Sequence, residues 1–409
     1  MKCRHCGSEA SLPLVDLGNA PPSNAYLTEA DLHRVEKWYP LRVMVCTECW
    51  LAQTEDTAAA DELFDENYAY FSSYSSTWLR HAEQYVAQMH TRFGLNEKSH
   101  VVEIAANDGY LLQYVKAREI PCLGVEPTVS TAAAARAKGI DVVEEFFGVA
   151  TARSMVKNGQ QADLMIANNV LAHVPDINDF VAGFFELLKP SGVVTFEFPH
   201  LMQLMVDCQF DTIYHEHFSY LSLTAVNRIL NQYGLGIFDV QPLDTHGGSL
   251  RVFAQRRDTG LQKILPSVNE MLVKEEGLGM TSKAFYANFQ HRTEKIKNAF
   301  LSFLLECNHR GAKVVAYGAA AKGNTLINYA GVRPDLLKWV VDRNPSKRGK
   351  FLPGSRIPIV HDECLKSERP DFVVILPWNL KDEIKSQLNY IREWNGKFVT
   401  VVPDLKVEQ

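Results

Sequence analysis

The stretch that decides the fold is Val101–Tyr110, VVEIAANDGY, which runs into the apolar segment Leu111–Val115. The order of residue types predicts a strand, a tight turn and a helix: apolar residues with one acid come first, then small residues, then apolar residues at helical spacing. A helix N-terminus presents free N–H groups, and small residues let a ligand approach the backbone. The pattern therefore predicts a ligand-binding turn at the first strand of an α/β domain.

A second short strand follows about twenty residues later. It is Cys122–Pro127, CLGVEP, and its last acid is Glu126. An acid at this place accepts hydrogen bonds from ribose hydroxyls in nucleotide-binding α/β folds. Together the two segments predict a nucleoside-bearing cofactor on a doubly wound sheet.

Two cofactors compete for this geometry. A dinucleotide needs glycines beside its pyrophosphate, whereas the first small positions here are Ala105 and Ala106. The carboxylates of Glu103 and Asp108 would repel a pyrophosphate but suit a sulfonium, an ammonium and a ribose. The residues therefore favour S-adenosylmethionine over NAD, and a purely structural turn is the remaining alternative.

The composition is that of an ordinary globular chain. Its 409 residues, 46% hydrophobic and 22% charged, fit two or three domains. A net charge of −6 argues against general nucleic-acid affinity. There is no apolar run long enough for a membrane span, and the N-terminus MKCRHCGSEA lacks an apolar signal core. We therefore expect a cytoplasmic enzyme that binds neither nucleic acid nor membrane.

Four of the eight cysteines are paired by spacing, as Cys3-x-x-Cys6 and Cys46-x-x-Cys49. Two such knuckles supply the four thiolates that Zn²⁺ prefers, and a closed shell of this kind indicates a structural metal. The gap between the knuckles is longer than usual, so redox pairs or incidental core cysteines are the alternatives. We expect His5, inside the first knuckle, to be exposed rather than a ligand.

The segment Tyr214–Tyr220, YHEHFSY, is the strongest candidate for the chemistry. Two histidines, one glutamate and two tyrosines occupy seven residues, without an HExxH metal pattern. On a strand the two histidines would face one way, whereas on a helix or turn the faces mix. Spacing alone therefore does not decide which histidine points inward, and a solvated or core-capping patch is the alternative.

A second strand–loop–helix pattern begins at Lys313–Tyr317 and continues as Gly318–Thr325, GAAAKGNT. Small residues with a lysine suit a phosphate or pyrophosphate, although the glycine spacing is wrong for a Walker loop. A plain packing turn is the alternative. The aromatic, hydroxyl-rich stretch Asn67–Trp78 is either an interdomain packing surface or a lid over a polar substrate.

Taken together, these segments resemble the S-adenosylmethionine-dependent sugar C-methyltransferases of deoxysugar biosynthesis over nearly the whole chain. Besides the four-cysteine module, the motifs that carry the resemblance are VVEIAANDG, GVEP, EEFFG, ANNVLAHVPDINDF, IYHEHFSYLS, HGGSLR and YGAAAKGNT. One departure is Ala105, where the family usually carries glycine. Its methyl group would lie beside the methionine end of the cofactor.

The resemblance implies an α/β fold in three parts. These are a zinc-binding N-terminal domain (1–66), a central Rossmann-like methyltransferase domain (67–255), and a helical linker with a C-terminal Rossmann-like domain (256–409). The family adds a methyl group, usually at C3, to nucleotide-linked 4-keto-deoxysugars that are usually dTDP-linked; some relatives methylate at C5 or act on other sugars. The oligomeric state is open, and a monomer is one option.

A carbon next to a ketone can lose a proton because the enolate delocalises charge onto oxygen, so the reaction needs a base and an oxyanion donor. The resemblance implies that His217 is the base and that Glu216 orients it or contacts the substrate. Tyr214 and His173 are candidates to position the sugar and stabilise the enolate. Two rival functions stay open: O- or N-methylation of a small metabolite, and a non-catalytic zinc-containing binding module.

The resemblance also implies two sets of binding residues. We expect the cofactor to contact Glu103, Asn107, Asp108, Gly109, Glu126, Pro127, Phe146, Phe147, Asn168 and Asn169. We expect the nucleotide-sugar to lie between the central and C-terminal domains, against Tyr70, Tyr74, His200, Lys322, Asn324 and Thr325.

Overall fold

The computed structural model describes residues 1–55 and 71–408. These residues form three sheets, of four, seven and six strands. The predicted fold class, an N-terminal cysteine module followed by two α/β units, is confirmed. The boundary predicted at 66/67 lies outside the described residues, and the one at 255/256 stays a prediction. Among the helices that the structure describes, none combines the length and the apolar character that a membrane crossing needs.

The N-terminal sheet is antiparallel and lies next to both cysteine knuckles. Its first three strands are β1 (Leu12–Ala20), β2 (Tyr39–Val45) and β3 (Ala52–Thr54). The first knuckle precedes β1, and the second forms the turn between β2 and β3. The small sheet buries its apolar side chains against the cysteines, so the metal-ligand set and the core form one unit.

The central domain carries the seven-stranded sheet. Its chain contains the strands β4 (Val101–Ile104), β5 (Cys122–Val125), β6 (Asp141–Val143), β7 (Ala162–Asn168), β8 (Leu188–Pro199), β9 (Ser219–Tyr220), β10 (Leu235–Leu243) and β11 (Ser249–Arg256). Its helices are α1 (Ser76–Phe93), α2 (Leu112–Lys116), α3 (Val129–Ala137), α4 (Val149–Lys157), α5 (Ile177–Leu187), α6 (Leu201–Val206) and α7 (Leu223–Gln232).

The sheet order is β10-β11-β8-β7-β4-β5-β6. Strands β4 to β8 are parallel, and β11 and β10 extend the sheet in antiparallel fashion. The chain reverses its winding direction between β4 and β7, which places a crevice at their carboxyl ends. Strand β9 is the exception to this layout, because it leaves the central domain and pairs with β3 of the N-terminal sheet.

The C-terminal unit repeats the doubly wound plan in the sheet order β14-β13-β12-β15-β16-β17. Its strands are β12 (Val314–Tyr317), β13 (Val340–Val341), β14 (Ile359–Val360), β15 (Phe372–Ile375), β16 (Lys397–Thr400) and β17 (Lys406–Glu408). The linker and this unit supply the helices α8 (Pro266–Gly277), α9 (Lys283–Tyr286), α10 (Phe289–His309), α11 (Ala321–Tyr329), α12 (Glu363–Glu368) and α13 (Lys381–Gln387). The crevice of this second sheet lies between β12 and β15, the strands that precede the GAAAKGNT and PWN segments.

Candidate active site and zinc centre

The four knuckle cysteines converge. Their Sγ atoms all lie within 4.8 Å of one another, with 3.4 Å between Cys3 and Cys49 and 3.5 Å between Cys6 and Cys46. Zn–S bonds of about 2.3 Å hold four tetrahedral sulfurs about 3.8 Å apart, so the set fits a zinc ion. The expectation that His5 is exposed is wrong: His5 is buried, with its Nδ1 atom 2.9 Å from Oδ1 of Asn178.

The predicted cofactor turn follows β4. Ala105, Asn107 and Gly109 all have positive φ angles, of 56°, 51° and 73°. A Cβ atom on Gly109 would lie 2.4 Å from Cδ1 of Ile140, so this position requires glycine. The helix that follows, α2, has only 5 residues. The groups that this turn could offer to a ligand are therefore its side chains rather than a helix terminus.

Two glutamates, Glu103 and Glu126, lie beside this turn. Glu126 accepts hydrogen bonds from the backbone N–H groups of Asn107, at 2.9 Å, and Thr128, at 3.0 Å. Glu103 is buried, and its Oε2 atom has no hydrogen-bond partner among the described residues. Burial, and then the neighbouring carboxylates of Glu126 and Asp108, raise the pKa of Glu103 well above its usual range. A bound cation would satisfy this carboxylate.

The end of β7 brings further polar groups to the same crevice. Both side-chain polar atoms of Asn168 and the Oδ1 atom of Asn169 are buried and, within the described chain, have no hydrogen-bond partner. Unpartnered buried polar atoms are costly, so their accumulation beside Glu103 indicates a ligand site. The donors, acceptors and carboxylates together fit the ammonium, carboxylate and ribose groups of S-adenosylmethionine.

The remaining residues predicted to bind the cofactor differ in whether their side chains are packed or exposed. Phe147 packs edge-on against Phe184 at 5.0 Å, whereas the Phe146 ring is 64% exposed. Phe146 is therefore the aromatic ring that could still cover an adenine. Asp108 is buried beside Lys138, whose Nζ atom lies 3.3 Å from Oδ2, and Pro127 follows Glu126 at the end of β5.

The structure brings the histidines of the candidate catalytic set together. The rings of His217 and His173 meet edge to face with their centroids 4.6 Å apart, and the Tyr214 ring lies 4.0 Å from that of His217. Nδ1 of His217 is 2.9 Å from the carbonyl oxygen of Thr212. Because a carbonyl only accepts, Nδ1 carries the proton and Nε2 carries the lone pair. Burial lowers the pKa of His217 well below its usual value, so the ring is neutral.

His173 has the same tautomer. Its Nδ1 atom donates to the carbonyl oxygen of Glu216 at 2.8 Å, and burial lowers its pKa to about 4. A neutral His173 with the proton on Nδ1 can accept a hydrogen bond at Nε2 but cannot donate one there. It therefore suits a sugar hydroxyl better than an enolate oxygen.

Glu216 and His215 point away from the His217 ring. Oε1 of Glu216 accepts from the backbone and side-chain nitrogens of Asn24, both at 3.2 Å. Nε2 of His215 lies 3.3 Å from the Tyr39 carbonyl oxygen in the N-terminal sheet. The orienting contact of His217 is thus the Thr212 carbonyl, and Glu216 joins the segment to the N-terminal loop.

Three of the predicted substrate residues are engaged in packing. Nε2 of His200 lies 2.6 Å from Oε1 of the buried Glu275. Asn324 donates to the carbonyl oxygen of Ser23 at 2.6 Å, and Thr325 donates to that of Ile213 at 2.8 Å. These contacts join domains. Tyr74 is exposed, and Tyr70 lies outside the described residues.

Lys322 belongs to a polar group around the buried Asp211, and the other members of this group were not predicted from the sequence. Its Nζ atom donates to Oδ1 of Asn379 at 2.7 Å and lies 4.5 Å from the ring centroid of Trp378. Trp378 donates to Oδ2 of Asp211 at 2.7 Å. Burial lowers the pKa of Lys322 and raises that of Asp211 to about 6. The one signal for this group was positional: Trp378 and Asn379 follow β15, at the crevice of the second sheet.

Comparison with known proteins agrees with the three-part architecture. Family models match residues 3–64 as a zinc-binding domain, 78–239 as a methyltransferase domain and 244–403 as a C-methyltransferase C-terminal domain. Among solved structures, magnesium protoporphyrin IX methyltransferase of Synechocystis PCC 6803 is 14% identical over 44% of this chain and 79% of its own, with a TM-score of 0.34. The PH0226 protein of Pyrococcus horikoshii OT3 is 14% identical over 47% of this chain and 99% of its own, with a TM-score of 0.39.

One curated relative matches nearly the whole of this chain. C-methyltransferase NovU of Streptomyces niveus is 32% identical over 406 residues, which is 99% of this chain and 96% of the relative. This match favours carbon, rather than oxygen or nitrogen, as the methyl acceptor. It also argues against a non-catalytic binding module. The chain belongs to the family of S-adenosylmethionine-dependent C-methyltransferases that carry an N-terminal zinc-binding domain.

Proposed function

We propose that the protein methylates C3 of a dTDP-linked 4-keto-deoxysugar through an enolate, with His217 as the general base. One observation carries the proposal. The Thr212 carbonyl fixes the Nδ1 proton of His217, so a buried, neutral imidazole keeps its lone pair on Nε2. A positioned neutral imidazole is the group that can remove a proton from a carbon acidified by a ketone.

The other residues would have complementary roles. Tyr214, whose ring lies 4.0 Å from that of His217, is the hydroxyl donor for the developing enolate oxygen, and His173 accepts from a sugar hydroxyl. Lys322, which is half-buried, adds a positive charge that acts beside burial in lowering the pKa of His217, and a charge this close favours an anionic intermediate. When bound, S-adenosylmethionine supplies the electrophilic methyl group.

The binding assignments follow from availability. We assign Glu103, Asn168 and Asn169 to the amino-acid end of the cofactor, because their buried polar atoms require partners. Each carboxylate oxygen of Glu126 accepts one backbone N–H and can accept another hydrogen bond, so Glu126 is assigned to the ribose, and the exposed Phe146 is assigned to the adenine. Lys322 is the basic residue for the nucleotide-sugar. A biosynthetic reaction of this kind is consistent with a cytoplasmic location.

The test follows proton removal directly. A dTDP-linked 4-keto-6-deoxyhexose is incubated in D₂O with the enzyme and S-adenosylhomocysteine, and deuterium incorporation at C3 is followed by NMR. His217→Asn keeps an N–H group for the Thr212 carbonyl but has no lone pair at the Nε2 position. We expect it to slow exchange by about 10² to 10⁴-fold, the usual contribution of a general base.

The matched control is His215→Asn, in the same buried segment but directed at Tyr39. We expect it to exchange at close to the wild-type rate. Wild-type exchange in His217→Asn would exclude His217 as the base and direct the search to Tyr214 and His215. Mass spectrometry and NMR of the methylated product then give the position, and a methyl group at C5 would contradict the C3 assignment.

A further inference from the structure

We infer that Arg4, inside the first zinc knuckle, is a positioning residue that couples the zinc centre to the catalytic segment. This inference rests on the proposed role of His217. Arg4 lies between two zinc-ligand cysteines, but its guanidinium reaches across to the central domain. Nε donates to the carbonyl oxygen of Phe218 at 3.2 Å, and a terminal nitrogen donates to that of Thr54 at 2.7 Å. The guanidinium carbon also lies 5.2 Å from the Phe218 ring centroid.

Thr54 extends the connection to His217 itself. Its Oγ1 atom donates to the carbonyl oxygen of His217 at 3.2 Å, and its backbone N–H donates to that of Phe218 at 3.1 Å. The next residues pair as strands β3 and β9, with Gln53 opposite Ser219. The backbone carbonyls of His217 and Phe218 are therefore both held by hydrogen bonds from the N-terminal module. Arg4 is the charged residue among these donors.

The same knuckle also holds the segment that bears His173. Nδ2 of Asn178, near the start of α5, donates to the carbonyl oxygens of Arg4 at 3.0 Å and His5 at 2.9 Å. The backbone N–H of Phe218 donates to the carbonyl oxygen of Ala172 at 2.8 Å. The two facing histidine rings thus sit on two segments that are fastened to one knuckle.

Metal ligation fixes the shape of this knuckle. The four sulfurs lie within 4.8 Å of one another, and thiolates this close repel one another unless a cation holds them. Zinc therefore sets the backbone from which Arg4 reaches Phe218. A base displaced by about 1 Å loses about 10²-fold in rate, so a structural metal at this place would influence the chemistry without contacting the substrate.

The test compares three arginine variants by a spectroscopic readout that needs neither substrate nor turnover. The enzyme is labelled with ¹⁵N-histidine, and the resonances missing from His217→Asn identify His217. We expect Arg4→Met to retain one zinc per chain and the wild-type S-adenosylmethionine affinity, while the His217 ring resonances shift and those of His361, which is half-buried in the C-terminal unit, do not. The same variant should slow C3 exchange by about 10 to 100-fold.

Arg4→Lys keeps the charge but reaches only one carbonyl, so we expect it to recover part of both effects. The control is Arg42→Met on β2, which removes an exposed arginine paired with Asp16 and Glu55 and should change neither readout. If Arg4→Met does not fold, Thr54→Val, which removes only the hydroxyl donor to the His217 carbonyl, gives the same comparison.

The outcomes separate the two proposals. Unchanged His217 resonances and exchange in Arg4→Met would overturn the positioning role, and so would equal losses in Arg42→Met. If His217→Asn exchanges normally, the proposed base is wrong, whatever Arg4 does. Removal of zinc by a chelator from the wild-type protein should shift the His217 resonances in the same direction as Arg4→Met; an unchanged spectrum would contradict the coupling.

Discussion

Two turns of this chain, one after β4 and one after β12, are built from small residues in the same way. They differ in what the polar groups around them contact. In each, an acid at the end of the next strand accepts from a backbone N–H of the turn. Glu126 accepts from Asn107 at 2.9 Å, and Asp342 accepts from Ala319 at 2.7 Å. The local backbone device is therefore shared by both α/β units.

The difference lies in what the polar groups around each turn contact. Beside the first turn, the side chains of Glu103, Asn168 and Asn169 keep unpartnered buried atoms within the described structure. Around the second, the amide nitrogen of Asn324 and the hydroxyl of Thr325 donate to carbonyls of other segments at 2.6 and 2.8 Å, and only Oδ1 of Asn324 in this pair is without a partner within the described structure.

The backbone of the second turn also accepts hydrogen bonds from other segments. The carbonyl oxygen of Ala319 accepts from the Tyr26 hydroxyl at 2.6 Å and from the Lys347 ammonium at 2.8 Å. The second turn is thus a joint between domains, and Lys322 in the same turn contacts Asn379 and the ring of Trp378. Asn324 Oδ1 is likewise buried without a partner among the described residues, so the contacts to carbonyls of other segments, rather than the small-residue pattern, mark the second turn as a joint.

The largest expected difference between the turns concerns Glu103. Glu103→Gln removes the negative charge that we assign to the cofactor ammonium, and a charge-assisted hydrogen bond is worth about 1.5–3 kcal/mol, or about 10 to 100-fold in Kd. Isothermal titration calorimetry with S-adenosylmethionine measures it. The matched variant Asp342→Asn, in the second turn, should leave this Kd unchanged. Equal losses in both variants would remove the distinction between the turns.

The same residue gives a pH dependence with a defined sign. Burial raises the pKa of Glu103 in the ligand-free fold above its unfolded value. The free energy of unfolding therefore falls as the pH rises from the pKa of this carboxyl group in the unfolded chain to its pKa in the folded protein. Ligand-free Glu103→Gln should be the more stable protein at pH 8, with the difference vanishing below about pH 4, and cofactor affinity of the wild type should rise with pH. Thermal denaturation at both pH values checks the sign.

Local patterns predicted the first turn well because everything needed for it is close in sequence. The strand, the positive-φ glycine at Gly109 and the acid at Glu126 all lie within one strand–turn–helix–strand unit. The roles of His200, Asn324 and Thr325 were not predictable in this way. Whether a buried hydroxyl or amide meets a substrate or another domain's carbonyl depends on packing between distant segments.

The candidate catalytic segment, Tyr214–Tyr220, shows the same limit. Its composition indicated chemistry, but its orientation depends on β9 leaving the central domain to pair with β3. A two-residue strand carries too little periodicity to be recognised from sequence. The contact between Glu216 and Asn24 was missed for the same reason, since the loop that holds Asn24 has no pattern of its own.

An intermediate effect is expected from Thr325→Val in the second turn. This nearly isosteric change removes the donor to the Ile213 carbonyl and leaves a buried acceptor unsatisfied, which costs about 1–3 kcal/mol of folding free energy. Ile213 follows Thr212, which orients His217, so C3 exchange should fall by about tenfold. S-adenosylmethionine affinity should stay at the wild-type value. A cofactor defect without an exchange defect would reverse the roles assigned to the two turns.

The smallest effect is expected at Ala105, the position at which the family resemblance implies a glycine. Ala105 has a φ angle of 56°, a region in which a side chain costs about 1–2 kcal/mol. Glycine removes that strain but adds backbone entropy to the unfolded chain, worth about 0.5–1 kcal/mol, so the net gain in stability should be about 0.5–1 kcal/mol. Differential scanning calorimetry of Ala105→Gly should therefore show a slightly higher Tm. A lower Tm, with tighter cofactor binding, would mean that the alanine methyl stabilises the ligand-free turn and that its cost falls on the cofactor instead.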